Sequence, residues 1–376
     1  MRRTTILAAT AALTLAVSAC GSSRKHASTT GAKRLAITLT KAGCDPPGLV
    51  AEPGPTTFNV TNSNADAVSE FEVLDGGRIL GEVENLTPGL SGSFTITLKP
   101  GTFTTACPGG TTTAKGQLVV GGGGPATTAP APHRAAATQA VATYRAYVES
   151  EATKLVADTT AFVNAVKAGN LTEAKRLFPG TRTHYETIEP IAESFGDLDP
   201  EIDARANDVP AAKFEGFHRI EQQMFEKGNL DGMDAFATSL LGDVKELQSR
   251  IPDIELEPAQ LANGAVELLN EVASSKITGE EDRYSHTELW DFAANLEGAR
   301  EAFAALKPII TGKDEGLATK LETRFAATES ALAKYKRGDG YALYTALTKA
   351  ATRALAAQVD ALADVLSKVA PLVVSS

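Results

Sequence analysis

The segment Gly216–Phe225, GFHRIEQQMF, sets His218 three residues ahead of Glu221 inside an amphipathic stretch. On a helix, residues three apart share a face with Cβ atoms roughly 5–6 Å apart, so an imidazole and a carboxylate can reach one ion. That donor pair suits a transition metal better than calcium or magnesium. The order is the reverse of the Glu-x-x-His pair of di-iron bundles, and one such pair arises often by chance, so a polar pair on a solvated helix face is the competing reading. Zinc-peptidase chemistry of the H-E-x-x-H type needs two histidines four apart with the glutamate beside the first. His218 has no such partner.

The neighbouring segments favour an ion. HYETIEPIAESFGDLDPEIDARAND holds Glu186, Glu189, Glu193, Asp197, Asp199, Glu201 and Asp203 within eighteen residues, more carboxylates than a surface helix needs. In TGEEDRYSHTELWDF, Ser285 and Glu288 have capping-box spacing, which predicts His286 in a helix first turn near Glu281, Asp282 and Asp291. An exposed first-turn histidine is the alternative for His286. As partners for His218 and Glu221, Glu186 and Asp203 rank ahead of Glu189, His286 and Asp291. No Ser/His/Asp arrangement, reactive cysteine or phosphate-binding glycine loop is legible.

The elements that must position these residues are helical. After residue 134 the apolar residues recur with a 3.6 period, and one long amphipathic helix runs to Gly169, with Asn170 and Glu173 spaced as a capping box for the next. Further helices are predicted near 171–178, 181–195, 211–227, 232–250, 258–276, 286–310, 314–336 and 340–370. Short connections imply antiparallel neighbours whose facing side chains can build a site inside an all-α bundle.

Residues 35–120 read differently, as short alternating runs such as RLAITLT, SEFEVLD and SFTITLK separated by glycine and proline. This predicts an antiparallel β-sandwich of about seven strands. A Gly/Pro/Ala/Thr stretch at 121–135 is a linker, leaving 136–376 as the helical domain. The β-region has no histidine and no methionine, so a blue-copper ligand set of two His, a Cys and a Met is missing. What remains is Cys44, Cys107 and the carboxylates Glu70, Glu72, Glu82 and Glu84. A Cys/Glu metal cluster and a disulfide beside a solvated acidic face are both open.

MRRTTILAATAALTLAVSAC has a basic start, an apolar run too short to span a bilayer and small residues before Cys20. Val17–Cys20 resembles a bacterial lipobox, so residues 1–20 are expected to be a lipoprotein signal, with a lipid on Cys20 holding the protein at the outer face of the cell membrane. Residues 21–34 read as a tether. Two further cysteines in an exported domain are expected to pair. The chain carries a net charge of −10; 26 of its 36 basic and 38 of its 46 acidic residues follow position 130. That half attracts cations and repels nucleic acid.

Taken together, GFHRIEQQMFE, YETIEPIAESFGDLDPEIDAR, ITGEEDRYSHTELWDFAANLEGA and EFEVLDGG…VENLTPG…LKPGTFTTAC resemble the EfeO-type components of Efe iron-uptake systems. The resemblance covers nearly the whole mature chain. It implies a cupredoxin-like β-domain joined to an imelysin-like helical domain that carries a His-x-x-Glu motif, here His218 and Glu221. It further implies iron, with copper as a second candidate, bound for a ferric permease and alongside a secreted haem peroxidase. The cupredoxin-like metal residues carry over as Cys107, Cys44, Glu70, Glu72 and Glu82. Metal binding and delivery is the leading expectation. A ferroxidase in the β-domain, a peptidase as the imelysin classification suggests, and a surface adhesin are the alternatives.

Overall fold

The computed structural model describes residues 33–76, 78–121 and 131–374. The signal segment, Cys20, most of the tether and positions 122–130 of the linker lie outside the described residues. The first strand begins at Lys33 and the first helix at Ala131, so each domain starts slightly earlier than the hydropathy pattern indicates. Pro132 stands in that helix's first turn, where a missing N–H costs nothing, so the Pro/Ala run ends as helix rather than linker.

The β-domain is a two-sheet sandwich. Strands β1 (Lys33–Thr40), β2 (Gly43–Asp45), β4 (Gly54–Asn62) and β7 (Ser91–Leu98) form one sheet in the order β2-β1-β4-β7. The other is ordered β3-β9-β8-β5-β6, from β3 (Gly48–Ala51), β5 (Phe71–Asp75), β6 (Arg78–Val83), β8 (Gly101–Ala106) and β9 (Lys115–Val120). Phe58 stacks on Phe94 at 4.9 Å between ring centroids, and Phe71 closes the trio from the facing sheet at 5.8 Å from Phe58. The pairing is not wholly antiparallel: β1 runs parallel to β4, and β3 parallel to β9. After the β1–β2 hairpin the chain switches sheets, so β3 and β4 come to pair outside simple hairpins, a feature that alternation along single strands does not encode.

In the helical domain, α1 (Ala131–Lys167), α2 (Leu171–Ile188) and α7 (Glu288–Lys313) pack against one another as its centre. Around them lie α3 (Leu198–Asp203), α4 (Gly216–Phe225), α5 (Asp234–Arg250), α6 (Pro258–Ser274), α8 (Glu315–Ala333), α9 (Lys349–Leu366) and α10 (Val369–Val374). Asn170 caps α2 by accepting the Glu173 N–H, as its spacing predicts. The predicted helices 171–178 and 181–195 are in fact one helix to Ile188 followed by a 3₁₀ segment, Glu189–Phe195. Pro179 does not break it, because Phe178, Thr181, Arg182 and Tyr185 are buried on one face. Tertiary burial overrides the local penalty. The segment predicted as helix 340–370 opens instead with a hairpin of β10 (Lys336–Arg337) and β11 (Gly340–Tyr341), and α9 starts at Lys349.

The two domains are docked. Asn263 on α6 accepts the N–H of Thr95 at 3.3 Å and donates to its carbonyl at 2.8 Å, while the Glu84 N–H donates to Glu267 Oε1 at 3.0 Å.

Two glycines fix the helices that matter for the site. A Cβ on Gly298 of α7 would overlap the Thr187 carbonyl of α2, and one on Gly216 would overlap the Ile202 carbonyl where α3 meets α4. Gly216 also has φ +72, a left-handed conformation that costs glycine little. Gly298→Ala is expected to destabilise the protein by about 1–3 kcal/mol through overpacking. Thermal unfolding followed by helical circular dichroism measures it; an unchanged midpoint would show that α2 and α7 can separate freely.

Candidate metal centre

His218 and Glu221 lie on the inner face of α4, both buried. The His218 Nδ1 bonds Glu221 Oε2 at 3.0 Å, while Glu221 Oε1 accepts the backbone N–H groups of Tyr284 at 3.0 Å and Ser285 at 2.7 Å. Glu221 therefore fixes both the imidazole and the loop before α7. The other ring nitrogen, Nε2, has no hydrogen-bond partner. It lies 3.4 Å from Glu281 Oε1 and 3.7 Å from Asp203 Oδ1. Asp203, His218 and Glu281 thus offer one donor each to a common point, and His218, Glu221 and Asp282, and Glu186, Glu281 and Asp291, form two overlapping groups.

Two buried cations run through these groups. Arg182 on α2 pairs with Glu186 one turn on, with Asp203, and with Glu281 at 2.9 Å. Its Nε lies 3.4 Å from Asp282 and its NH2 3.6 Å from Asp291. Lys276 donates to Glu186 at 2.9 Å and to Glu189 at 2.7 Å, and Asn295 on α7 donates to both carboxylates.

The electrostatics follow from this packing. Burial and the Arg182 charge push the His218 imidazole down, but Asp203, Glu221 and Glu281 outweigh them and raise its pKa to about 10. Burial pushes Asp203 up to about 7 against the pull of Arg182 and His218. Glu281 is held well below the carboxylate range, because Lys276, Arg205, His218 and Arg182 overcome its burial. A metal ion taking Nε2 must displace a proton, with Glu221 then fixing the tautomer through Nδ1–H.

In the β-domain, Cys44 and Cys107 are joined by a disulfide with Cα atoms 5.6 Å apart. Their sulfurs pair with each other, so neither serves as the thiolate ligand that a Cys/Glu cluster would need. Glu70, Glu82 and Glu84 do converge, whereas Glu72, across from Glu82 in the β5–β6 register, does not join them. Both Glu82 oxygens are buried without a hydrogen bond. Glu70, Glu82 and Glu84 line a cavity of about 640 Å³ that Asp203, Glu271 and Glu281 line as well.

Residues 140–369 match the imelysin family and residues 7–120 the cupredoxin-like domain. Among curated relatives, the iron uptake system component EfeO of Escherichia coli (strain K12) and that of Shigella flexneri are each 41% identical over 361 residues, covering 95% of this chain and 96% of theirs. The chain belongs to the EfeO family.

In this EfeO-family chain, the site brings together His218, Glu221, Glu186, Asp203 and Asp291, all candidates from the sequence. Glu189 is turned to Lys276 and Asn295 and stands outside the converging groups. His286 also stays outside. It precedes α7 with φ +61, and Ser285, the supposed cap, bonds Thr287 Oγ1 instead. Glu221 holds the Tyr284 and Ser285 N–H groups, so the helix cannot begin until Glu288. Glu281 and Asp282 appear in the sequence only as neighbours of His286, yet they are central. Arg182 and Lys276 carry no local signal, since a lone cation in a helix reads as surface.

Across the domain contact, burial and then Glu271 and Glu267 push Glu84 up to about 8, and burial raises Glu267 to about 7. Both acids are raised from 4.5, so the folded state binds more protons than the unfolded one between that value and about 8. Their contribution is full below the ordinary carboxylate pKa and is lost as pH rises through about 7 to 8. The thermal midpoint is expected to fall between about pH 5 and about pH 8, and Glu84→Gln to flatten that fall. An equally steep fall in the variant would assign the pH dependence elsewhere.

Proposed function

We propose that this protein is the cation-capturing component of a cell-envelope iron-uptake system, with iron as cargo held by His218 Nε2, Asp203 and Glu281. The reading rests on one observation above the rest: a buried imidazole nitrogen without a hydrogen bond, aimed between two carboxylates and fixed from behind by Glu221. One nitrogen with carboxylate oxygens suits ferrous or ferric iron, a borderline-to-hard ion, and not a thiophilic one. The printed names of the relatives, iron uptake system components, support the same cargo. Glu186, Asp282 and Asp291 supply further carboxylate oxygens around it.

Delivery goes to a ferric permease, alongside a secreted haem peroxidase, from a position held at the membrane by a lipid on Cys20. No described helix is long and apolar enough to cross a membrane. A peptidase would need a carboxylate free to activate water; the motif's Glu221 already bonds His218 and two backbone N–H groups. A second cation position at Glu70, Glu82 and Glu84 is favoured by the unpartnered Glu82 carboxylate. Its all-oxygen donors suit iron better than cuprous copper, so ferrous oxidation there would not run through a copper–thiolate centre.

Anaerobic calorimetric titration with ferrous ion, repeated with chelator-buffered ferric ion, tests the main site. His218→Ala is expected to weaken binding by more than the roughly 10–100-fold typical of losing an outer-shell partner, and Glu221→Gln by an amount within that range. Wild-type affinity in His218→Ala would remove the proposal.

A further inference from the structure

We infer that Arg182 is a resident counter-cation that the cargo must displace, and that this exchange restricts the centre to multivalent ions. The inference rests on the reading that the carboxylate groups around His218 bind a cation.

Arg182 is fully buried and pairs with at least one member of each of the three converging groups around His218 and Glu186: Asp203 and Glu281 in the first, Asp282 in the second, and Glu186, Glu281 and Asp291 in the third. No ion can take these oxygens while the guanidinium keeps all its contacts. Arginine does not lose its proton in proteins, so it cannot yield by neutralisation. It has to move. The rings of Phe178 and Phe217, with centroids 6.0 and 5.8 Å from its Cζ, flank it and offer π-faces that can hold a cation swung off the carboxylates.

The charge balance makes the exchange selective. Glu186, Glu189, Asp203, Glu221, Glu271, Glu281, Asp282 and Asp291 face Arg182, Lys276, Arg205 and His218, eight acidic groups against four basic ones. An ion that takes Nε2 releases the His218 proton, so exchanging the guanidinium for sodium or potassium leaves the carboxylates one positive charge poorer and without its directed N–H bonds. A divalent ion restores that charge and a trivalent ion adds one, in a buried setting where each is felt strongly. Arg182 thus sets a threshold of ion charge.

The test compares full-length wild type, Arg182→Met and Arg182→Lys by anaerobic titration with ferrous ion, and by thermal unfolding in sodium chloride against choline chloride at equal ionic strength. Removing the competitor is expected to tighten ferrous binding in Arg182→Met by about tenfold or more, the scale of one charge-assisted hydrogen bond. Its unfolding midpoint should rise with sodium, while that of wild type should not. Arg182→Lys keeps a charge but loses the fork, and is expected to fall between the two; it carries the test if Arg182→Met does not fold. Wild-type binding with equal or weaker binding in the variants overturns the inference and makes Arg182 a structural clamp. Failure of wild type itself to bind ferrous or ferric ion overturns the proposed function, and this inference with it.

Discussion

In the ion-free protein the helical domain is organised around Arg182, buried among carboxylates. A guanidinium removed from water is costly unless every side of it finds an anion, and α2, α3, α7 and the loop before α7 each bring one. The first two lie about a hundred residues before the last two, so the pairing gathers distant parts of the chain at one point. The apolar contacts of the bundle then act around a polar centre already defined. Lys276 repeats the device one layer away, binding Glu186 and Glu189 and tying the 3₁₀ segment to α7 through Asn295.

Specific packing makes this centre possible. α2 and α7 approach closely enough for Thr187 to lie against Gly298, which places Arg182 and Glu186 opposite Asp291. α4 can begin against α3 only because residue 216 lacks a Cβ, and that junction sets Asp203 beside His218. Glu221 links the helix that holds the imidazole to the loop that holds Glu281 and Asp282. Few of its bonding positions remain for anything else.

The change from alternating to 3.6-residue periodicity made both domains legible, and the density of acids between 186 and 203 pointed to the bundle interior. Local grammar failed where tertiary contacts outweighed it. Ser285 and Glu288 have capping spacing, but Glu221 holds the backbone at Ser285 in a loop, which removed His286 from the site. Pro179 reads as a break, yet the buried face of α2 carries the helix through it. Arg182 and Lys276 could not be found from pattern at all, because what marks them is the convergence of partners up to about a hundred residues away in the chain. The disulfide was one of two chemically sensible states for Cys44 and Cys107, and only their proximity decided between them.

The domain contact has a kinetic meaning separate from affinity. Asp203 and Glu281 face both the imidazole and the cavity, which β6 also lines. Under the proposed function, an ion leaving through this cavity would pass the carboxylates of the other domain. How strongly it is held would then be a property of the bundle, whereas how long it stays would be a property of the contact between α6 and the β-domain. A partner that pried that contact open could shorten the residence time without touching a single ligand.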